Sequence, residues 1–201
     1  MKKGIRIIVV DGQPGGGKDE FLRLLGLDPW FIKNAIILME SAAWVRVSHG
    51  VQRGELQAGS PETRVSFQGL IAQAYVFMLN MAVDRAIRDG KSVVICNRFT
   101  PSGAVYVPGG MAELCEIIGA PVGDMIDGID HVICPGAPKE EHYTTNEYRF
   151  ETWEEACDLG ARARQIYVDL GCDVTDIPAR DNFDEKCADF LEVIRRLVGA
   201  E

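Results

Sequence analysis

Gly12-Gln13-Pro14-Gly15-Gly16-Gly17-Lys18-Asp19 carries the strongest chemical signal in the chain. Up to Lys18 it fits the spacing G-x-x-x-x-G-K, a loop that wraps polyphosphates. Glycines let successive backbone N–H groups turn inward around an anion, and the positive end of a following helix adds to the attraction. Lys18 supplies a point charge for the β- and γ-phosphates of a bound nucleotide. The setting suits the motif: an apolar run, Ile5-Arg6-Ile7-Ile8-Val9-Val10, precedes it, and a short helix over Lys18–Leu25 is expected after it. A glycine-rich turn that binds nothing is the bland alternative, and the strand–loop–helix order speaks against it.

The last position of the loop departs from the pattern. A Ser or Thr hydroxyl ordinarily stands there beside Mg²⁺, but this chain has Asp19. At the end of the third apolar run, where P-loop kinases often carry Asp-Arg, it has Asn97-Arg98. A carboxylate is thus missing from one expected place and present at another. One reading is compensation, in which Asp19 serves as an oxygen ligand or holds a metal-bound water and Asn97 orients a water. Mg²⁺ accepts carboxylate oxygens well. The competing reading is that Asp19 repels the β-phosphate and damages nucleotide binding.

The elements that must position these residues are legible from periodicity. Ala35–Met39, Ser92–Cys96, His131–Cys134 and Asp173–Ile177 read as further strands, the first three ending at Glu40, Asn97 and the segment after Cys134. A long helix is expected over Glu62–Asp89, with Leu70, Ala74, Phe77 and Met81 on one face and deep burial because it is apolar nearly all round. Gly90 stops it. Thr152-x-x-Glu155 resembles a capping box opening a helix, and a last helix runs over Phe183–Val198. Strand alternating with helix implies a parallel sheet of five strands with helices on both faces. In such sheets ligands lie at the carboxyl ends of the strands, where the loop, Glu40 and Asn97 all fall.

The chain's 201 residues suit one α/β domain, 1–201, with a short lid expected over 135–151. Thirty acidic residues against 21 basic give a net charge of −9, which disfavours nucleic acid as the main partner. No uninterrupted apolar run nears a membrane span, and the N-terminus lacks a signal-peptide core, so no membrane partner and a cytoplasmic location are expected. The six cysteines include no C-x-x-C pair and read as packed thiols, and His49, His131 and His142 are scattered.

The chain resembles the P-loop kinase-type ATPases, an AAA-like family that includes bacterial ribosylnicotinamide kinase domains. The matching pieces are Val9–Lys18 (a Walker A loop), Met39-Glu40-Ser41-Ala42-Ala43, Phe67-Gln68, Asn97-Arg98 and Arg149–Ala156, in an order that spans nearly the whole chain. The resemblance implies a P-loop NTPase fold, ATP and Mg²⁺ as cofactors, and nucleotide binding by Gly12, Gln13, Pro14, Gly15, Gly16, Gly17, Lys18 and Asp19. The metal contacts expected at Asp19 and Asn97 come from the compensation reading, since both positions depart from the family pattern. Glu40 would accept the proton of an acceptor hydroxyl, unless it simply begins a helix. Arg98 would bridge Glu40, the phosphoryl group or the acceptor, unless it is a structural ion pair. Arg149 would arrive with the lid to stabilise transferring charge, with Lys139 a weaker candidate.

Gln68 would read the acceptor's base or ribose through its amide, or else cap the long helix. Trp44 and Tyr75 could stack on a base, and Arg46, Arg53 and Arg64 could receive a phosphate if the acceptor is a nucleotide. Arg180 could stack on adenine, while Asp181 or Asn182 caps the last helix. The leading expectation is a Mg²⁺-dependent phosphotransferase moving the γ-phosphoryl group of ATP to a small nucleoside-like or nucleotide acceptor. Its partners would be small molecules, with a homodimer as an option. The alternative is a nucleotide-binding ATPase or switch module without a small-molecule acceptor.

Overall fold

The apolar runs become the strands of one sheet. The computed structural model describes residues 4–50, 60–144 and 151–200. β1 (Arg6–Val10) is followed by α1 (Lys18–Leu25), α2 (Pro29–Asn34), β2 (Ala35–Leu38), α3 (Ser41–Ser48) and the long α4 (Pro61–Arg88). β3 (Val93–Asn97) leads into a 3-10 helix (Thr100–Tyr106), α5 (Gly110–Ile118) and α6 (Val122–Ile126). β4 (His131–Pro135), a single 3-10 turn (Glu140–His142), α7 (Trp153–Asp169), β5 (Val174–Ile177) and α8 (Phe183–Val198) complete the order.

The sheet has five strands in the order β2-β3-β1-β4-β5, all parallel. Because β1 is central, with β3 on one side and β4 on the other, successive crossovers leave it in opposite directions. That makes the end of β1 a topological switch point, with the glycine loop in its crevice. Alternation along the strands assigns side chains to two cores. Ile7, Val9, Val94, Cys96, Val132 and Cys134 meet α4 and Tyr167 of α7 on one face. Ile8, Val10, Ile95 and Ile133 meet Phe21, Leu22 and Leu25 of α1 and Phe190 and Ile194 of α8 on the other.

Local chemistry sets the helix starts. The Thr152 and Glu155 side chains each bond the other's backbone N–H, at 3.2 and 2.8 Å, forming the expected capping box of α7. Asn182 caps α8 by accepting from the Asp184 N–H at 2.8 Å. The sequence reading passed over α2, yet its signal is present: Asp28 accepts from the Trp30 N–H at 2.8 Å, and Pro29 follows it. The 3-10 helix, α5 and α6 between β3 and β4 were also unassigned.

The expected inner face of α4 is corrected. Phe77 is 62% and Met81 52% exposed, and Leu70 also faces out. Of the expected residues only Ala74 packs inward, alongside Tyr75, Leu79, Ala82, Val83 and Ala86 on the sheet. With apolar residues nearly all round, periodicity left its rotation undetermined, and small alanines allowed close approach on the other side. By length and composition α4 is the one helix among the described residues that could cross a membrane, and 44% of its most apolar window is buried within the fold.

Candidate functional site

The glycine loop runs from Asp11 at the end of β1 to the first turn of α1. Gly17 holds φ at +89°, and a Cβ there would stand 2.8 Å from the Phe183 ring of α8, so a side chain is excluded by both conformation and space. Inside the loop Lys18 is buried, and its ammonium donates to the carbonyls of Gln13 at 2.8 Å and Gly12 at 3.3 Å. Burial, then the neighbouring Arg98 charge, pulls the Lys18 pKa down from 10.5 to about 7, against the opposing pull of Asp11, Glu40 and Asp19.

Beneath the loop lies a carboxylate to which the sequence reading assigned no role. Asp11 is fully buried; its Oδ1 accepts from the Gly12 N–H at 2.7 Å and its Oδ2 from the Tyr167 hydroxyl at 2.9 Å. Arg98 Nη1 lies 3.5 Å from Oδ1. Arg98 is the one non-glycine with positive φ, +63°, among the described residues. Backbone strain of that kind persists where the surroundings over-determine it. Here the left-handed turn after β3 swings Arg98 between Asp11 and Glu40, whose Oε1 is 3.2 Å from Arg98 Nε. The ε N–H is not aligned with that oxygen, so the contact is an ion pair rather than a hydrogen bond. Burial disfavours the guanidinium's charge, but Tyr106, Asp11 and Glu40 outweigh it and hold its pKa well above the ordinary value.

The two departures from the motif touch each other. Asn97 Nδ2 donates to Asp19 Oδ1 at 2.6 Å, while Tyr75 donates from its hydroxyl to the Asn97 carbonyl at 3.1 Å. Asn97 Oδ1 is buried without a hydrogen-bond partner, and so are Gln13 Nε2 and Arg98 Nε. These are the three such side-chain atoms among the described residues; they stand just after β1 and at the end of β3. Buried polar groups are rarely left so, and these exceptions fall at the ends of the two adjacent strands β1 and β3. Asn97 Oδ1 and the Asp19 carboxylate are hard oxygens, a donor set that suits Mg²⁺. No group of three or more His, Cys, Asp or Glu among the described residues could hold a metal ion alone, so phosphate oxygens would have to complete its shell.

A cleft of ≈ 1370 Å³ extends from Pro14–Lys18 and Asp19 across Glu40 and Arg98 to Gln68, Tyr75, Tyr106 and the α7 residues Glu154, Asp158 and Arg162. Glu40 stands at the mouth of β2, directly before α3, facing the loop. Gln68 lies on α4 with its Oε1 beside Gly103 of the 3-10 helix. Arg46 and Arg64 also line this half. Trp44 is 54% exposed and does not line the cleft. Arg180 is held by Asp189 on α8 at 2.7 Å, and Lys139 by Asp181 at 2.8 Å; neither lines the cleft. Arg149 and Arg53 lie outside the described residues, as does 145–150 of the expected lid.

Sequence reasoning missed Lys186, Tyr167 and Gly160. Each interrupts or closes an apolar stripe: Lys186 falls between Phe183 and Phe190 on α8, and Gly160 and Tyr167 follow Ala156 on α7. A cation and a glycine at core-facing positions were the signals available.

No protein-family model and no curated protein matches the sequence. Among solved structures, NadR protein in complex with NR matches with a TM-score of 0.68 at 14% identity, covering 100% of this chain and 51% of that one. NadR protein in complex with NAD and AMP-PNP matches with a TM-score of 0.65 at 13% identity, with the same coverage of 100% and 51%. The chain thus spans about half the length of these neighbours. At such identity the likeness is one of fold, and it agrees with the five-stranded parallel sheet in identifying a P-loop NTPase fold.

Proposed function

We propose that this protein is a phosphotransferase that moves the γ-phosphoryl group of ATP to a hydroxyl of a small nucleoside-like acceptor. The observation that carries the reading is the cleft at the switch point lined by Pro14–Lys18, Asp19, Glu40 and Arg98, with Lys18 buried in the loop and with Gln13 Nε2, Asn97 Oδ1 and Arg98 Nε, in or next to lining residues, lacking hydrogen-bond partners. The fold neighbours, held with NAD and AMP-PNP and with NR, support small-molecule nucleotide binding.

In this mechanism the loop N–H groups and Lys18 hold the β- and γ-phosphates in line with the acceptor. Glu40 accepts the acceptor's hydroxyl proton as its oxygen bonds to the γ-phosphorus, and the bond to the ADP oxygen breaks. Arg98, fixed between Glu40 and Asp11, meets the charge spread over the transferring group. Mg²⁺, held by Asp19 and Asn97 together with phosphate oxygens, would supply neutralisation of that charge when bound. Arg149 of the 135–151 lid and Gln68 on the acceptor remain part of the proposal.

The test is melting of wild type and Lys18→Ala with ATP or ADP, each with and without Mg²⁺. At about 100 times its dissociation constant a ligand adds roughly 2.7 kcal/mol. For a domain of this size that raises Tm by about 5–10 °C. A Mg²⁺-dependent rise that Lys18→Ala abolishes is expected; no rise at millimolar nucleotide sinks the reading. Turnover with nucleosides then separates a kinase from an ATPase or switch. Glu40→Gln should cut acceptor-dependent turnover about 10²–10⁴-fold with ADP affinity unchanged. Slow hydrolysis with no acceptor stimulation would favour the switch.

A further inference from the structure

We propose that Lys186 is a second lysine of the phosphate loop, a positioning residue that fixes the Gly16–Gly17 peptide with its N–H turned toward the nucleotide. The proposal rests on the nucleotide-binding reading above. Lys186 sits in the first turn of α8, only 3% exposed, away from the cleft surface. Its ammonium donates to the carbonyl of Gly16 at 3.0 Å and to that of Gly136 at 2.6 Å. It lies over the Phe21 ring at 5.8 Å from the centroid, and burial lowers its pKa from 10.5 to about 8. An ammonium is costly to bury, and both of these acceptors are main-chain carbonyls rather than a carboxylate.

Those two carbonyls stand in the loops after β1 and β4, the adjacent strands that frame the switch point. The peptide between Gly16 and Gly17 is trans, so its C=O and N–H point in opposite directions. Drawing the Gly16 carbonyl back toward α8 therefore aims the Gly17 N–H away from α8, toward the cleft that both glycines line. The Phe183 ring, also on α8, lies beside Gly17, 2.8 Å from where a Cβ would stand. Lys18 holds the front of the loop through the carbonyls of Gly12 and Gln13, and Lys186 holds its back through Gly16. The bond to Gly136 ties that grip to the root of the 135–151 segment.

Calorimetric titration of ADP and of AMP, with Mg²⁺, into wild type and Lys186→Met tests this, with the melting of each free protein alongside to show that it is folded. ADP affinity is expected to fall about tenfold or more while AMP affinity stays within about twofold, because a loop donor serves the β-phosphate. Unchanged ADP affinity overturns the proposal, and so does an equal loss for both nucleotides, which a merely structural lysine would produce. If Lys186→Met does not fold, Lys186→Gln is titrated against the same criteria. Wild type binding neither nucleotide would instead bring down the nucleotide-binding reading itself.

Discussion

Lys18 stores a proton-linked switch in its burial. In the free folded protein its pKa is about 7, against 10.5 in a solvated chain. Between those values the unfolded chain holds a proton that the folded chain has released, so the stability of the free protein rises with pH across that window. Lys186, at about 8, contributes in the same direction. On the proposed function, a bound phosphate would reverse the balance at Lys18 by restoring its charge. Nucleotide binding is therefore expected to take up close to one proton at about pH 8.5 and to weaken as pH rises above about 7. ADP calorimetry in buffers of different ionisation enthalpy measures that uptake directly; an equal affinity across the range with no proton taken up would contradict it. Asp19 and Asn97 act at the same scale, as a bonded pair that leaves one amide oxygen buried without a hydrogen-bond partner.

Among the elements, α7 lies closest against Gln13 of the loop, at Gly160. A Cβ added at Gly160 would lie 2.6 Å from the Gln13 Cβ and 2.8 Å from its backbone nitrogen. The helix can approach the loop this closely only because that position has no side chain. Gly160→Ala should raise helix propensity by about 1 kcal/mol. The collision with backbone should outweigh it, for a net loss of about 1–3 kcal/mol. Urea denaturation reads the sign, and ADP affinity should fall with it, since Gln13 must shift. A stabilised variant that binds normally would show that α7 can retreat without cost. On α4 the lesson is one of rotation: Leu79 and Val83 face the sheet while Phe77 and Met81 face outward.

At the scale of the whole molecule, the Asp11 carboxylate joins three elements distant in sequence. It receives Gly12 from the loop after β1, Tyr167 from α7 and Arg98 from the turn after β3. Tyr167→Phe deletes one donor to a fully buried carboxylate and keeps the ring in its place. It should lower stability by about 1–3 kcal/mol. The urea midpoint should fall with an unchanged slope, the mark of a local loss in an otherwise intact fold. An unchanged midpoint would mean that Asp11 is satisfied by Gly12 and Arg98 alone.

The strands, the glycine loop, the capping box at Thr152 and the placing of Glu40 and Asn97 at strand ends were legible in the sequence alone. Those features are written in short-range patterns: runs of apolar residues, glycine spacing and capping pairs. The sequence did not determine which side of α4 is inner, because a helix apolar nearly all round has no periodicity to read. Nor could it reveal that Asn97 bonds Asp19, that Arg98 turns left-handed to reach Asp11 and Glu40, or that Lys186 grips Gly16. Each of those joins residues far apart in the chain, and only the order β2-β3-β1-β4-β5 brings them to one crevice. Directions of buried side chains are settled by packing between elements, which no local pattern encodes.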